Sequence, residues 1–290
     1  MTIERDFKIG CDPEFAFVTQ RGNNIREAEE IITDNSQGEV GLDGCGRIPE
    51  IRPDPSTHPS EVVKNIRIAL VNMATEQDSS LRVNWRAGTC VGEEPIGGHI
   101  HFGTKEVGFK NREFPTTLID SYVAQPILML ESRDESRRRR MDSDYGQLGD
   151  LRTDHEHGVE YRTLGSWLTS PWIALGVLSL AKVVAWEGLV KGASADISLR
   201  ITNSVYREYN EGVVRPRCPK IYSKIQEMTL YKLPEYKAPI DFIFNLIMGG
   251  RKWFPKCGMM SAWGITSKSN IIPKLTFQPV SITHIMEILG

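Results

Sequence analysis

The sequence has little charge of either sign to spare: its 290 residues carry 37 Asp and Glu against 35 Lys and Arg, a net charge of −2. That balance excludes a broad basic surface for nucleic acid and a polyanionic disordered chain. Cysteine is sparse as well. Cys11, Cys45, Cys90, Cys218 and Cys257 are odd in number and widely separated, with no CxxC pair. A zinc ribbon or thioredoxin-type motif is thereby removed, and a disulfide framework is argued against. Residues 1–6 have no apolar run of the kind a secretory signal needs. The longest apolar stretch, residues 172–186, is shorter than a membrane span, contains Lys182 and reads as a buried helix. The reducing cytoplasm is the expected compartment. No repeat, low-complexity tract or Pro/Gly/Ser-rich linker divides the chain, so one domain over residues 1–290 is expected. With 40% hydrophobic and 25% charged residues, the composition is that of a folded soluble protein, long enough to form a core without staples.

Residues 7–18 and 50–52 read as extended, with a turn-rich region between them (Gly38, Gly41, Gly44, Gly46). Ser60 can cap a helix in which Val62, Val63, Ile66, Leu70 and Met73 recur at helical spacing. Residues 96–103 form a further strand candidate, and 118–138 a helix that Pro126 should kink. Residues 159–164 read as a strand before a long apolar helix over 171–191. After Arg215 the prolines at 216, 219, 234, 239, 255, 273 and 279 predict short helices. Strands and helices alternate without βαβ spacing, which predicts an α+β fold with an antiparallel sheet rather than a doubly wound one.

Four strand candidates share one peculiarity. Each places two ligand-capable residues two positions apart: Asp12/Glu14, Glu50/Arg52, His99/His101 and Glu160/Arg162. In a strand such residues point to the same face, and the neighbouring Phe15, Phe17, Ile51, Ile100, Phe102 and Tyr161 can pack the other. Any one pair also describes a half-solvated strand. Four pairs together, one of them flanked by Gly97, Gly98 and Gly103, describe a charged face that needs metal ions or a polyanion to compensate it. Carboxylates suit Mg²⁺ or Mn²⁺, arginines suit phosphate, and the combination is that of phosphoryl transfer.

The motifs Gly10-Cys11-Asp12-Pro13-Glu14-Phe15, Leu42-Asp43-Gly44, Glu50-Ile51-Arg52-Pro53 and Gly97-Gly98-His99-Ile100-His101-Phe102-Gly103 resemble the phage-type carboxylate–amine ligases. These belong to the glutamine synthetase and glutamate–cysteine ligase superfamily. Tyr145-Gly146, Gly149, Arg152 and Val159-Glu160-Tyr161-Arg162-Thr163-Leu164 extend the match, which spans about residues 7–190. The resemblance implies a curved antiparallel β-sheet funnel backed by helices, in which ATP phosphorylates a carboxylate and an amine then displaces phosphate to form an amide. It implies that Glu14, Glu50 and Glu160 hold metal, that His99 meets a metal or the nucleotide phosphates, and that Asp12 is a second-rank metal ligand. Arg162 would stabilise the transferred phosphoryl group, Arg52, His101 and Arg152 would contact the nucleotide, and Asp43 would take a proton from the amine. Within the run Arg137-Arg138-Arg139-Arg140, Arg139 and Arg140 are candidates for nucleotide phosphates, against a solvated helix end. Asp12 stands where many relatives have Glu, and no counterpart of the extra N-terminal domain of glutamine synthetases is seen.

Other features read more plainly. His155-Glu156-His157 lies among Asp150, Asp154 and Gly158 and reads as a solvated turn. The cysteines read as buried small hydrophobes, and Trp253, Trp263, Tyr222, Tyr231 and Tyr236 as core or edge contacts. Two rival functions stay open. One is a zinc-dependent amidohydrolase using His99 and His101, with further ligands from His58, His155, His157 or His284. The other is a catalytically inactive nucleotide-binding protein of the same fold. The substrates are small-molecule or peptide carboxylates and amines; membranes are excluded, as is nucleic acid except as a modified-base substrate, and a homo-oligomer is left open. Residues 200–290 are expected to complete the substrate pocket. If phage-encoded, the protein would work in the host cytoplasm.

Overall fold

Alternation of polar and apolar residues decides where the sheets of this computed structural model form. The described residues are 6–19, 24–32, 39–42, 46–76, 83–105, 108–109, 114–254 and 258–265; Asp43, Cys45, Cys257, His284, Gly38 and Gly44 lie outside them. Among the described residues the strands are β1 (Ile9–Pro13), β2 (Ala16–Thr19), β3 (Ile25–Arg26), β4 (Val40–Leu42), β5 (Pro49–Ile51), β6 (Val83–Arg86), β7 (Cys90–Val91), β8 (Glu94–Pro95), β9 (Gly98–Phe102), β10 (Leu151–Arg152) and β11 (Val159–Tyr161). The main sheet has the order β1-β9-β11-β10 and is antiparallel throughout. Smaller antiparallel sheets, β3-β2-β6, β4-β5 and β7-β8, adjoin it. Single bridges Glu14–Glu50, Gly97–Gly165 and Ile9–Ser56 stitch its borders.

Register separates the two faces. Ile9, Phe102 and Val159 lie in one row, and Cys11, Ile100 and Tyr161 in the next; all are buried in the core. Asp12 faces His99, and His101 faces Glu160, which faces Arg152, so these residues share the opposite face. The α+β antiparallel architecture is as expected, with one correction. Residues 7–18 are not one strand, because the chain breaks at Pro13, which has no N–H to continue a ladder, and β2 joins a different sheet. The antiparallel surface is made of several short sheets.

Helices back the apolar face. The first, Pro59–Glu76, starts one residue before Ser60, with proline at the position where a missing N–H is harmless. The helix Pro171–Lys191 begins at Ser170, whose hydroxyl accepts from Ile173 N at 3.3 Å, and ends at Gly192 in the left-handed region (φ 71°). At 21 residues it is long and apolar enough to cross a membrane, contrary to the shorter stretch read from sequence, but 83% of its most apolar window is packed inside the protein. Its Lys182 is fully buried and pairs with Asp6 at 2.5 Å and the carbonyl of Phe7.

Two helix expectations change. The 118–138 helix breaks not at Pro126 but at residues 129–132, because the π-turn Asp120–Ala124 ahead of the proline absorbs its missing donor. The C-terminal helices are not all short: Pro234–Met248 runs through Pro239 for 15 residues. Gly176 permits this crossing, since a Cβ there would run into Ile243 and lie 2.9 Å from the carbonyl of Pro239.

Tyr161, on the core face of β11, donates to Asp120 Oδ1 at 2.6 Å, and Gly149 N donates to the same oxygen at 3.1 Å. Burial pushes the Asp120 carboxyl up to about 6 despite these two bonds. Its folded-state value exceeds the unfolded one, so folding binds a proton there and stability falls as pH rises from about 4 to about 6. Asp120→Asn should remove a drop on the order of 2–3 kcal/mol across that window, read from urea midpoints of the two proteins at pH 4 and 7.

Candidate active site

The four polar pairs meet where the sheets join. Glu160 sits at the centre, fully out of water, with Oε1 3.2 Å from His99 Nδ1 and 3.3 Å from Arg162 Nε. Its Oε2 lies 2.7 Å from His155 Nε2 and 3.2 Å from Arg152 Nη1. Asp12 spans the two histidines of β9, with Oδ1 3.3 Å from His99 Nδ1 and Oδ2 3.1 Å from His101 Nε2. One oxygen each of Asp12 and Glu160 and one nitrogen of His101 converge within 4.8 Å.

Glu14 and Glu50 stand beside this group across the single bridge that joins β1 to β5. Glu14 Oε2 accepts from Gly97 N at 2.6 Å, and Glu50 is paired with Arg52, which also donates to the carbonyl of Leu42 at 3.3 Å. Two glycines are needed here for space. A Cβ at Gly41 would sit 2.8 Å from Arg52 Nη2, and one at Gly97 would meet the His99 ring.

Tyr145 closes the inner end. Its hydroxyl contacts His99 Nε2, Arg162 Nη2 donates to it at 3.4 Å, and Arg139 lies 4.4 Å over its ring. Burial pushes the Tyr145 hydroxyl up to about 12, so it stays protonated. Burial alone would raise the Asp12 carboxyl, but His101 and His99 hold it far below the usual carboxylate range. Burial lowers and Asp12 then raises the His99 imidazole, with a net upward shift.

This donor set fits a hard divalent cation. Asp12 Oδ1 is buried without a hydrogen bond, and the convergent atoms are two carboxylate oxygens and one imidazole nitrogen. Asp12 and His101, secondary in the sequence reading, thus stand at the centre with Glu160, and Glu14, Glu50 and His99 surround them.

Other sequence expectations shift. Arg139 and Arg140 are fully buried. Arg139 donates to the carbonyls of Thr163 (2.9 Å) and Arg162 (3.2 Å), while Arg140 pairs with Glu131 (2.6 Å) and reaches Gly146 O and Tyr206. As placed they hold up the strand end carrying Arg162 and the turn carrying Tyr145, and neither offers a face to a nucleotide. His155 and His157 do not form a solvated turn: His155 touches Glu160 and His157 Nε2 lies 2.9 Å from His101 Nδ1. The fixed spacing to β11 and the Gly158 that follows were the available signals.

The charged site is thus carried on short antiparallel sheets backed by helices. The chain belongs to the phage phiEco32-like COOH.NH2 ligases, type 2, whose family model matches residues 9–265. Among solved structures, the complex between the prokaryotic ubiquitin-like protein Pup and its ligase PafA is similar with a TM-score of 0.57 at 10% identity, over 89% of this chain and 66% of that one. A bifunctional glutathione synthetase from Pasteurella multocida matches with a TM-score of 0.47 at 9% identity, over 83% of this chain and 47% of that one. GmaS without ligand matches with a TM-score of 0.43 at 12% identity, over 85% and 65%. The chain spans about half to two thirds of the length of these neighbours. No curated protein matches it.

The arginines therefore divide by depth. Arg140→Met would leave Glu131 charged and unpaired in the interior and should lower stability by about 3–5 kcal/mol. Arg152→Ala, on a side chain 46% exposed, should cost about 1 kcal/mol or less in the same chemical denaturation series.

Proposed function

We propose that the protein is an ATP- and Mg²⁺- or Mn²⁺-dependent ligase that joins a carboxylate to an amine through an acyl phosphate. The observation that carries this reading is the placement of Glu160: one buried carboxylate, shared by two histidines and two arginines, at the junction of strands that also bring Asp12, Glu14 and Glu50. Such a site is matched to a polyanion held through cations rather than to a neutral substrate.

Each residue then has a task. Asp12, His101 and Glu160 would hold a divalent cation, with Glu14, Glu50 and His99 around it. When bound, that cation neutralises negative charge on the phosphates and so lowers the barrier to transfer. Arg162, one quarter exposed and held by Glu160 and Tyr145, would meet the phosphoryl group as it passes to the substrate carboxylate. Arg52 and Arg152, more exposed and nearer the rim, would contact nucleotide or the substrate acid. Asp43 remains the proposed acceptor of the proton that the amine loses. The amine substrate could be an amino acid, polyamine, peptide, cell-wall component or modified nucleobase.

The zinc amidohydrolase reading has less support. It needs several imidazoles on one ion, whereas the convergent group among the described residues holds a single histidine. Release of ADP and phosphate should require an acid and an amine together, and Arg162→Ala should lower kcat by roughly 10²–10³-fold. Full turnover in that variant, or tightly bound zinc with hydrolysis in the absence of ATP, would sink the reading.

A further inference from the structure

The His155-Glu156-His157 segment between β10 and β11 is built rather than loose. Lys105 N donates to the carbonyl of His157 at 3.2 Å, and Lys105 Nζ bonds the carbonyls of His155 and, at 3.5 Å, Thr153. Gly158 (φ 151°) closes the segment onto the end of β9, where a Cβ would meet the carbonyl of Phe102 and lie 2.8 Å from Thr104 N. The two imidazoles stack with centroids 4.9 Å apart and an interplanar angle of 26°, each limiting rotation of the other.

Their outward nitrogens go to different members of the convergent group. His157 Nε2 meets His101 on Nδ1, the nitrogen turned away from Asp12. His155 Nε2 meets Glu160 on Oε2, while Oε1 faces His99 and Arg162. Neither His155 nor His157 joins the set of donor atoms that converge. This is the arrangement of an outer shell: a partner behind each ligand, fixing its rotamer and tautomer. If His101 gives its Nδ1–H to His157, the free lone pair of His101 is on Nε2, on the Asp12 side.

We propose that the His155-Glu156-His157 loop is the orienting shell of the cation site, with His157 fixing the tautomer and ring of His101 and His155 fixing the carboxylate of Glu160. The assignment rests on the cation part of the ligase reading and adds two positioning residues to it. It also selects the ions: a site whose imidazole is held ready with a free Nε2 lone pair favours Mn²⁺ over Mg²⁺ more than carboxylates alone would.

The test is Mn²⁺ binding to the nucleotide-free full chain, followed by electron paramagnetic resonance. His157→Phe and His155→Phe should each weaken Mn²⁺ affinity by roughly 10–100-fold. His157→Gln, whose carbonyl can accept the same proton, should restore most of it, and circular dichroism melts separate lost orientation from lost fold. Electron spin echo modulation should count the same number of coordinated imidazoles in His157→Phe as in the unsubstituted protein. Unchanged affinity in the Phe variants, or a count lower by one in His157→Phe, overturns the assignment, the second because it makes His157 a ligand. No Mn²⁺ binding by the unsubstituted chain overturns the cation site along with it. Intact Mn²⁺ binding with no ADP release under any acid and amine would instead count against the ligase chemistry and leave the orienting shell standing.

Discussion

Three carboxylates buried side by side, Glu14, Glu50 and Glu160, set the terms for the rest of the structure. A carboxylate taken out of water without partners would take up a proton or unfold its surroundings. Here each is met by a different device: a backbone N–H from Gly97, the guanidinium of Arg52, and the ring of His99, His155, Arg152 and Arg162 around Glu160. Antiparallel pairing delivers those partners, because Asp12, His99, His101, Glu160 and Arg152 are direct cross-strand neighbours. A slip of one residue between β9 and β11 would turn Glu160 toward the helices and Tyr161 toward the site. The register is therefore held by both faces at once: charges on one side, and Ile100, Phe102 and Tyr161 against the core on the other.

The helical layer supports the site from behind through its irregular turns. Arg138–Asp142 is a π-turn, which inserts an extra residue per turn, and it lies where the chain changes from exposed Arg137 and Arg138 to buried Arg139 and Arg140. The buried pair then fixes the carbonyls of Arg162 and Thr163 and the turn at Gly146. The other π-turn carries Asp120 under Tyr161. Both irregularities thus bear on β11 and the residues just after it. Glu160 and Arg162 need that support, since β11 itself is only three residues long.

What the sequence made legible and what it hid follow from how far each feature reaches along the chain. Paired polar residues two positions apart are a local pattern, so the charged face could be read from Asp12/Glu14, His99/His101 and Glu160/Arg162 before any pairing was known. The end-on arrangement of short sheets was not legible, because it depends on Pro13 ending one ladder and on bridges such as Glu14–Glu50 between distant segments. Pro239 misled for a related reason: the helix that runs through it packs closely on another, where Gly176 leaves room for Ile243 and the carbonyl of Pro239. The fate of Arg140 turned on Glu131, nine residues earlier, becoming a fully buried partner, and that of Arg139 on the carbonyls of Arg162 and Thr163; no charge count distinguishes either from a solvated run. His155 and His157 look like any polar turn until Gly158 folds them onto β9.

Depth is also what gives the site a direction. Arg139 and Arg140 form a floor with no exposure, Arg162 stands above it at 25%, and Arg52 and Arg152 reach 39% and 46% at the rim. Guanidiniums stay charged at every depth, so positive charge is held from the rim to Tyr145, while the side chains of Glu160, Glu50 and Asp12 are 2%, 11% and 19% exposed. On the proposed reading, an anionic ligand entering from the rim would meet cations first, and a divalent cation would sit deeper, among Asp12, His101 and Glu160. The two charges are complementary together on that reading, because a polyanion without the cation would meet Glu160 and Asp12 head on. A chain with a net charge of only −2 thus gathers, in three dimensions, arginines graded from floor to rim around a cluster of carboxylates.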